Sequence, residues 1–283
     1  MHIIKTTRVL QSYLKSIRTE RPNVTIGLVP TMGALHAGHL SLIEASTQNN
    51  DISVCSIFVN PTQFGEKADL EKYPKPIEKD IELLMNAGCS LLFLPSYDDV
   101  YPSDYIHKEY DLQGLDHKIE GASRPGHFQG VCNVVGRFFE IVEPTNAYFG
   151  QKDFQQTVVV RRLLEITQQD IVLNIVPIKR EPHGLAMSSR NIRLSEKGRQ
   201  NAAFINKALR QLKEDIDEMV LEEAIAKARQ FISSHKGARI DYLLAANSRT
   251  LDEVNSMDDA EEILVVTVVE YEGVRLLDNI ILK

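Results

Sequence analysis

Ile26-Gly27-Leu28-Val29-Pro30-Thr31-Met32-Gly33-Ala34-Leu35-His36-Ala37-Gly38-His39 is the stretch on which the reading of this chain turns. Its apolar start predicts a strand over 25–29. The amphipathic segment beyond it, Leu40-Ser41-Leu42-Ile43-Glu44-Ala45, predicts a helix over 38–49. A strand, a Gly-rich turn and a helix in succession make an anion site. The first turn of a helix has unpaired N–H groups and the positive end of the dipole. Gly33 and Gly38 let the backbone come close to a ligand. His36 and His39 add two side-chain donors at the same place. The combination points to chemistry on a nucleotide phosphate. Histidines at a helix start also serve as caps, and a pair of them is also the beginning of a metal site. Zinc would need further Cys, His or carboxylate ligands. Neither H-E-x-x-H nor C-x-x-C accompanies the pair.

Outward from this stretch the pattern repeats. Residues 7–19 carry helical spacing in Val9, Leu10, Leu14 and Ile17. A strand over 52–59 is closed by Asn60-Pro61. A helix with Ile77, Ile81, Leu84 and Met85 stops at Gly88, and a short buried strand follows at 91–95. After an irregular stretch, 131–142 reads as helix, 147–150 as a strand end, 153–167 as helix and 173–177 as a strand. Near-continuous apolar strands alternating with helices indicate a parallel sheet covered on both faces. This is a doubly wound, Rossmann-like α/β domain, read over residues 1–178. Ligands of such sheets collect at the carboxyl ends of the strands. Four polar loops that follow strands converge there: 30–39, 60–64, 150–153 and 180–190. From 179 to 283 the pattern changes to a smaller α+β domain, expected to close over the site. Helices over 202–212 and 221–232 precede strands at 240–244, 262–269 and 274–281, with Glu272-Gly273 as a hairpin turn.

Bulk properties exclude several classes. Of 283 residues, 43% are hydrophobic and 25% charged, the composition of a globular chain long enough for a sizeable core. A net charge of −7 argues against a nucleic-acid surface. Cys55, Cys89 and Cys132 are widely spaced in apolar surroundings, which predicts free buried thiols in a reducing compartment. The N-terminal residues carry no apolar signal region, and no run approaches the ~20 apolar residues of a membrane span. The expectation is a cytoplasmic protein without membrane partners.

Further runs carry polar chemistry. Gly184-Leu185-Ala186-Met187-Ser188-Ser189-Arg190-Asn191 offers two hydroxyls and a guanidinium to phosphate oxygens. Gly150-Gln151-Lys152-Asp153-Phe154-Gln155-Gln156 offers Lys152 as a point charge and Asp153 as an acceptor from a ribose hydroxyl. In Phe58-Val59-Asn60-Pro61-Thr62-Gln63-Phe64, Gln63 brings both donor and acceptor to a polyol or carboxylate. Ser123-Arg124-Pro125-Gly126-His127-Phe128-Gln129-Gly130-Val131 sets an Arg and a His in a loop that leads into a helix.

Residues 30–39, 58–64, 124–131, 150–156 and 184–191, taken in order, resemble the pantoate–β-alanine ligase (pantothenate synthetase) family, within the H-x-G-H nucleotidyltransferase superfamily. The resemblance implies ATP-dependent condensation of (R)-pantoate with β-alanine through a pantoyl adenylate, with release of pyrophosphate and AMP. It makes His36 and His39 the motif histidines, with His39 the proton donor. Lys152, Ser188, Ser189 and Arg190 become phosphate contacts. Met32, Gly33, Ala34, Leu35, His36, Ala37, Gly38 and His39 match one ATP-binding stretch. Gly150, Gln151, Lys152 and Asp153 match a second, and Met187, Ser188, Ser189 and Arg190 a third, with Lys179 at the adenine. Gln63, Gln156, Pro30 and Met32 match the pantoate site, and Gln63 borders that of β-alanine. Mg²⁺ comes with the triphosphate, held by phosphates and water, with Asp80 as an indirect contact at most. A homodimer is implied. Two positions depart from the family: Gln151 stands where Glu is common, and Lys179 where an apolar residue is common.

Two other functions remain to be weighed. A plain nucleotidyltransferase would keep the H-x-G-H run and present a different acceptor loop, against which Gln63, Gln156 and residues 124–127 argue. An idle nucleotide-binding module would have lost a catalytic residue, whereas both histidines, Lys152 and Arg190 are present.

Overall fold

The computed structural model describes residues 1–65, 70–71 and 73–283. The chain forms two compact units. One comprises Met1–Gly150 and Val159–Val176, the other Gln151–Val158 and Pro177–Lys283.

The first unit is built on six parallel strands: β1 (His2–Ile4), β2 (Ile26–Thr31), β3 (Ile52–Ile57), β4 (Leu91–Phe93), β5 (Asn146–Gly150) and β6 (Val172–Val176). Their order is β1-β4-β3-β2-β5-β6. Every residue of β3 is buried, as a strand covered on both faces requires. The helices are α1 (Thr7–Glu20), α2 (Ala37–Asn49), α3 (Ile77–Asn86), α4 (His127–Val142) and the part of α5 (Phe154–Thr167) from Val159 onward, the start of α5 belonging to the second unit. Val29, Ile43, Cys55, Leu84 and Leu92 share one core cluster. Burial of each of the larger aliphatic side chains contributes roughly 1.5–3 kcal/mol.

The strand order reverses at β2. Chain flows from β2 to β3 and β4 on one side, then crosses to β5 and β6 on the other. A doubly wound sheet opens its crevice at such a switch point, beyond the carboxyl ends of the strands. Here β2 stays paired with β3 through Thr31, but its pairing with β5 ends at Leu28–Ala147. Pro30 fits this place. The Thr31 carbonyl accepts from the Phe58 N–H on the β3 side. Its neighbour Pro30 therefore faces the β5 side, where no ladder needs the N–H that proline lacks.

Two elements differ from the sequence reading. β1 has only three residues, at a sheet edge, too short for a periodic signal. α4 begins at His127, four residues before the expected 131, because Gly126 starts it from a left-handed φ of 77°. Gly130 argues against helix by propensity, yet it sits where a Cβ would come within 2.4 Å of the Thr62 carbonyl oxygen. The close approach, not helix preference, selects glycine.

The second unit carries an antiparallel sheet, β7 (Arg239–Asn247), β8 (Ile263–Tyr271) and β9 (Val274–Ile281). β8 and β9 join through Glu272 and Gly273, both with positive φ (50° and 71°), the turn that matches strand twist. Helices α6 (Phe204–Asp215) and α7 (Leu221–Ser233) bury Leu209, Leu212 and Ile232 in one core with Leu243 and Val265 of the sheet. Among the described residues no helix is long and apolar enough to cross a membrane.

Candidate active site

The first unit contributes the histidine loop and the turn after β3. Thr31 Oγ1 donates to the Ser56 carbonyl at 2.8 Å and accepts from Gly33 N at 3.2 Å. Gly33 and Ala34 then take left-handed φ values of 83° and 52°. The amides of Ala34 and Leu35 donate to the two carboxylate oxygens of Asp80, each at 2.8 Å. His36 is the N-cap of α2, its Nδ1 accepting from Gly38 N at 3.1 Å. The His39 N–H bonds the His36 carbonyl at 2.8 Å. The expected unpaired first turn is thus partly closed, and the imidazoles stand as its side-chain donors. With Nδ1 an acceptor, the neutral ring of His36 carries its proton on Nε2. The rings of His36 and His39 lie 4.1 Å apart between centroids.

Beside this loop sits Gln63, on a one-turn 3₁₀ helix, Pro61–Gln63, capped by Asn60. Its Nε2 donates to Met32 Sδ at 3.1 Å, and its Oε1 accepts from Asn60 Nδ2 at 3.2 Å. Pantoate-site candidates Met32 and Gln63 are therefore brought into contact. Asn60, fully buried, is the hub that sequence reasoning missed. Its Nδ2 also donates to the Gly130 carbonyl, and its Oδ1 accepts from Thr62 N, Thr62 Oγ1 and Tyr101 Oη. His127 Nδ1 lies 2.8 Å from the Gln63 carbonyl, and Arg124 Nη1 lies 3.1 Å from His127 Nε2. Arginine only donates, so Nε2 accepts and Nδ1–H donates to Gln63. The loop 124–131 thus braces the Gln63 backbone.

Asp80 is buried, and burial pushes its carboxyl above the ordinary aspartate range against the pull of the Leu35 and Ala34 amides.

The second unit contributes Gln151–Asp153 and the hairpin that begins at Lys179. Gln151–Asp153 is a 3₁₀ turn fastened to β9. Asn279 Nδ2 donates to the carbonyls of Gln151 and Lys152 at 2.9 and 3.0 Å, and Gln151 Nε2 donates back to Asn279 Oδ1 at 3.2 Å. Lys152 Nζ lies 3.5 Å from Asp153 Oδ1. Gln156 is half-buried in the first turn of α5.

Lys179 and Met187 close a hairpin, Met187 N donating to the Lys179 carbonyl at 3.0 Å. Gly184 supplies its φ of 108°. The Arg180 guanidinium grips Asp278 with two bonds of 2.7 and 2.9 Å. Glu181 Oε1 accepts from Asn191 Nδ2 at 3.0 Å and Oε2 from Arg199 Nη2 at 2.6 Å. Burial pushes the Glu181 carboxyl up, but these bonds outweigh it and hold it below the ordinary range. Ser188 caps the 3₁₀ helix Ser189–Arg193 through the Arg190 N–H, and Arg190 is exposed. Ser188 and Lys152 line one small cleft with Asn191 and Asp278. Asp278, Asn279 and Glu181 were not singled out from the sequence.

The first unit sets an H-x-G-H loop at the switch point of a parallel sheet, and the second unit by itself carries a Lys, Ser and Arg set; each is a donor set of the kind that enzymes acting on nucleotides use. The particular family follows from similarity along the whole chain: a sequence model of pantoate-beta-alanine ligase matches residues 2–281, and the chain belongs to that family. The pantothenate synthetase of Cytophaga hutchinsonii is 42% identical over 282 residues, 99% of both chains. That of Bacteroides thetaiotaomicron is 42% identical over 99% of this chain and 98% of its own. The crystal structure of pantothenate synthetase from Thermus thermophilus matches with a TM-score of 0.89 at 37% identity, covering 99% of each chain. The pantoate-beta-alanine ligase of Francisella tularensis, complexed with beta-gamma ATP and beta-alanine, matches with a TM-score of 0.79 at 33% identity, covering 99% and 97%.

Proposed function

We propose that the two donor sets described above carry the steps of an ATP-dependent ligase that joins pantoate to β-alanine. A pantoate carboxylate oxygen attacks the α-phosphorus of ATP, and the bond to pyrophosphate breaks. The β-alanine amine then attacks the acyl carbon of pantoyl adenylate, loses a proton, and AMP leaves. The first step builds charge on phosphate oxygens, so positioned donors carry most of the catalysis. His36 and His39 supply imidazole N–H groups, with His39 as proton donor. Lys152, Ser188, Ser189 and Arg190 supply an ammonium, two hydroxyls and a guanidinium to the phosphates.

Met32–His39 and Gly150–Asp153 serve ATP, with Lys179 near adenine and Met187 in the Ser-Ser-Arg run. Pro30, Met32, Gln63 and Gln156 hold pantoate, and Gln63 borders β-alanine. The contact between Gln63 and Met32 supports this most directly, because it joins the acid-binding amide to the loop that bears both histidines.

Among the described residues no three His, Cys, Asp or Glu side chains come together to hold a metal, and both oxygens of Asp80 are engaged by amides. We assign Mg²⁺ to the triphosphate, with phosphate and water oxygens as its main ligands. A cytoplasmic homodimer completes the reading.

The test is ATP–pyrophosphate exchange with D-pantoate present and β-alanine absent. Exchange that needs pantoate, followed by pantothenate and AMP on adding β-alanine, supports the reading. Folded, ATP-binding protein without exchange would return the plain nucleotidyltransferase to first place.

A further inference from the structure

One buried ionisable group has no part in the steps above. Asp80 is fully buried on α3, and its carboxylate meets the loop between β2 and α2. We propose that Asp80 is the positioning residue of the histidine loop: its two oxygens hold the backbone of residues 33–35 in the form that aims His36 and His39, and it is not a metal ligand.

The geometry is specific. Consecutive amides, Ala34 and Leu35, each donate to a different oxygen of the same carboxylate at 2.8 Å. Such charge-assisted bonds are short and strong, and two in parallel fix orientation as well as distance. They act where the backbone resists. Ala34 holds a φ of 52° although it has a Cβ, and a non-glycine residue stays there only when its surroundings over-determine it. Gly33, with a φ of 83°, has no room for a side chain: a Cβ would lie 3.0 Å from Asp80 Oδ2 and 3.0 Å from Ile57 Cγ2. The carboxylate therefore selects glycine at 33 and stabilises the left-handed form at 34.

The constraint passes directly to the reacting groups. Leu35 is followed by His36, whose ring is fixed on the Gly38 amide, and His39 lies in the same first turn. The clamp also takes the Ala34 and Leu35 N–H groups out of phosphate binding. An asparagine would offer one acceptor and would turn its NH₂ toward the other amide.

The inference rests on His36 and His39 acting on phosphate, and the experiment separates the two claims. Amide hydrogen exchange of Ala34 and Leu35 is measured in the substrate-free protein and in Asp80→Asn and Asp80→Ala variants. Melting temperature, pantoate-dependent pyrophosphate exchange and its Mg²⁺ dependence are measured alongside.

The clamp predicts protected amides in the wild type and faster exchange at these two positions in Asp80→Asn. It predicts a kcat lower by about a hundredfold, the scale of a 1 Å misplacement, with the KM for ATP changed far less. The Mg²⁺ dependence should be unchanged. Wild-type amides that exchange as fast as open loop residues would overturn the proposal, and this arm needs no variant. So would a folded Asp80→Asn with normal kcat, or one restored by excess Mg²⁺. If the wild type lacked pantoate-dependent exchange while both amides stayed protected, the reaction assignment would fail and the clamp would stand.

Discussion

Gln63 owes its orientation to three neighbours. One end of its amide is fixed by Asn60 Nδ2, the other lies on Met32 Sδ, and its backbone carbonyl is held by His127. Under the proposed assignment, a pantoate carboxylate or hydroxyl would meet a pre-aimed amide, so that little rotamer entropy would be lost on binding. Gln63→Ala should raise the pantoate KM by roughly ten- to a hundredfold, the equivalent of a hydrogen bond to a charged group. Asn60→Ala should shift it in the same direction, since it frees the amide without removing it. Steady-state kinetics at saturating ATP and β-alanine decide this, and an unchanged pantoate KM in either variant counts against the assignment. His39→Ala acts on chemistry instead. Loss of a positioned proton donor should lower pyrophosphate exchange by about 10²–10⁴-fold with an unaltered circular dichroism spectrum. Near-normal turnover would remove His39 from the proton-donor role.

The elements that carry the proposed phosphate contacts are held by polar clamps. Glu181 ties the Lys179 hairpin to the 3₁₀ helix of Ser189 through Asn191, and to Arg199. Its carboxyl is held below its ordinary value of 4.5, so the folded state binds the proton less tightly than the unfolded chain. The resulting stability is fully present above that ordinary value and is lost as pH falls toward the lowered folded one. Melting temperatures taken from about pH 6 downward should fall less steeply for Glu181→Gln than for the wild type, and parallel slopes would contradict this. Asn279 does the same for the Lys152 turn. Asn279→Ala should raise the KM for ATP by roughly tenfold, the scale of a lost hydrogen bond or two at the Lys152 turn, while the KM for pantoate stays within a factor of about two. These clamps explain what could be read from sequence. Strands β2, β3 and β5 are near-continuous apolar runs, and the motif loops follow them directly, so sheet and loops were legible. β1 was too short to show a period. The start of α4 was hidden by Gly130, whose role is a packing contact with Thr62. Asp80 and Asn279 were invisible as supports because their partners are distant in the chain, 46 residues away for Asp80 and Ala34 and 128 for Asn279 and Gln151. Asn60 and Glu181 also have nearer partners, but no sequence pattern marks which polar side chain the fold buries there.

Across the molecule the thiols show how the sheet shapes reactivity. Cys55, Cys89 and Cys132 all lie in the first unit, and all are buried. Burial, with Cys89 close by, drives the Cys55 thiol far above its ordinary range. Burial likewise pushes Cys89 up to about 11, and burial followed by Asp116 pushes Cys132 up to about 12. A raised thiol pKa means that the thiolate, the reactive form, is scarce at neutral pH. The ligase steps proposed above call on no cysteine nucleophile. Iodoacetamide at neutral pH should leave the native enzyme unlabelled and fully active, whereas denatured chain should take up label at all three positions. Cys132→Ser should lower stability by about 1–3 kcal/mol, the cost of burying a hydroxyl without a partner, with kcat unchanged. Stoichiometric labelling of the native protein with loss of pyrophosphate exchange would contradict the argument. Because every thiol belongs to the first unit, label uptake along a denaturant series reports the opening of the parallel sheet. Comparison with amide hydrogen exchange in β8 of the second unit, along the same series, tests whether the two units unfold together.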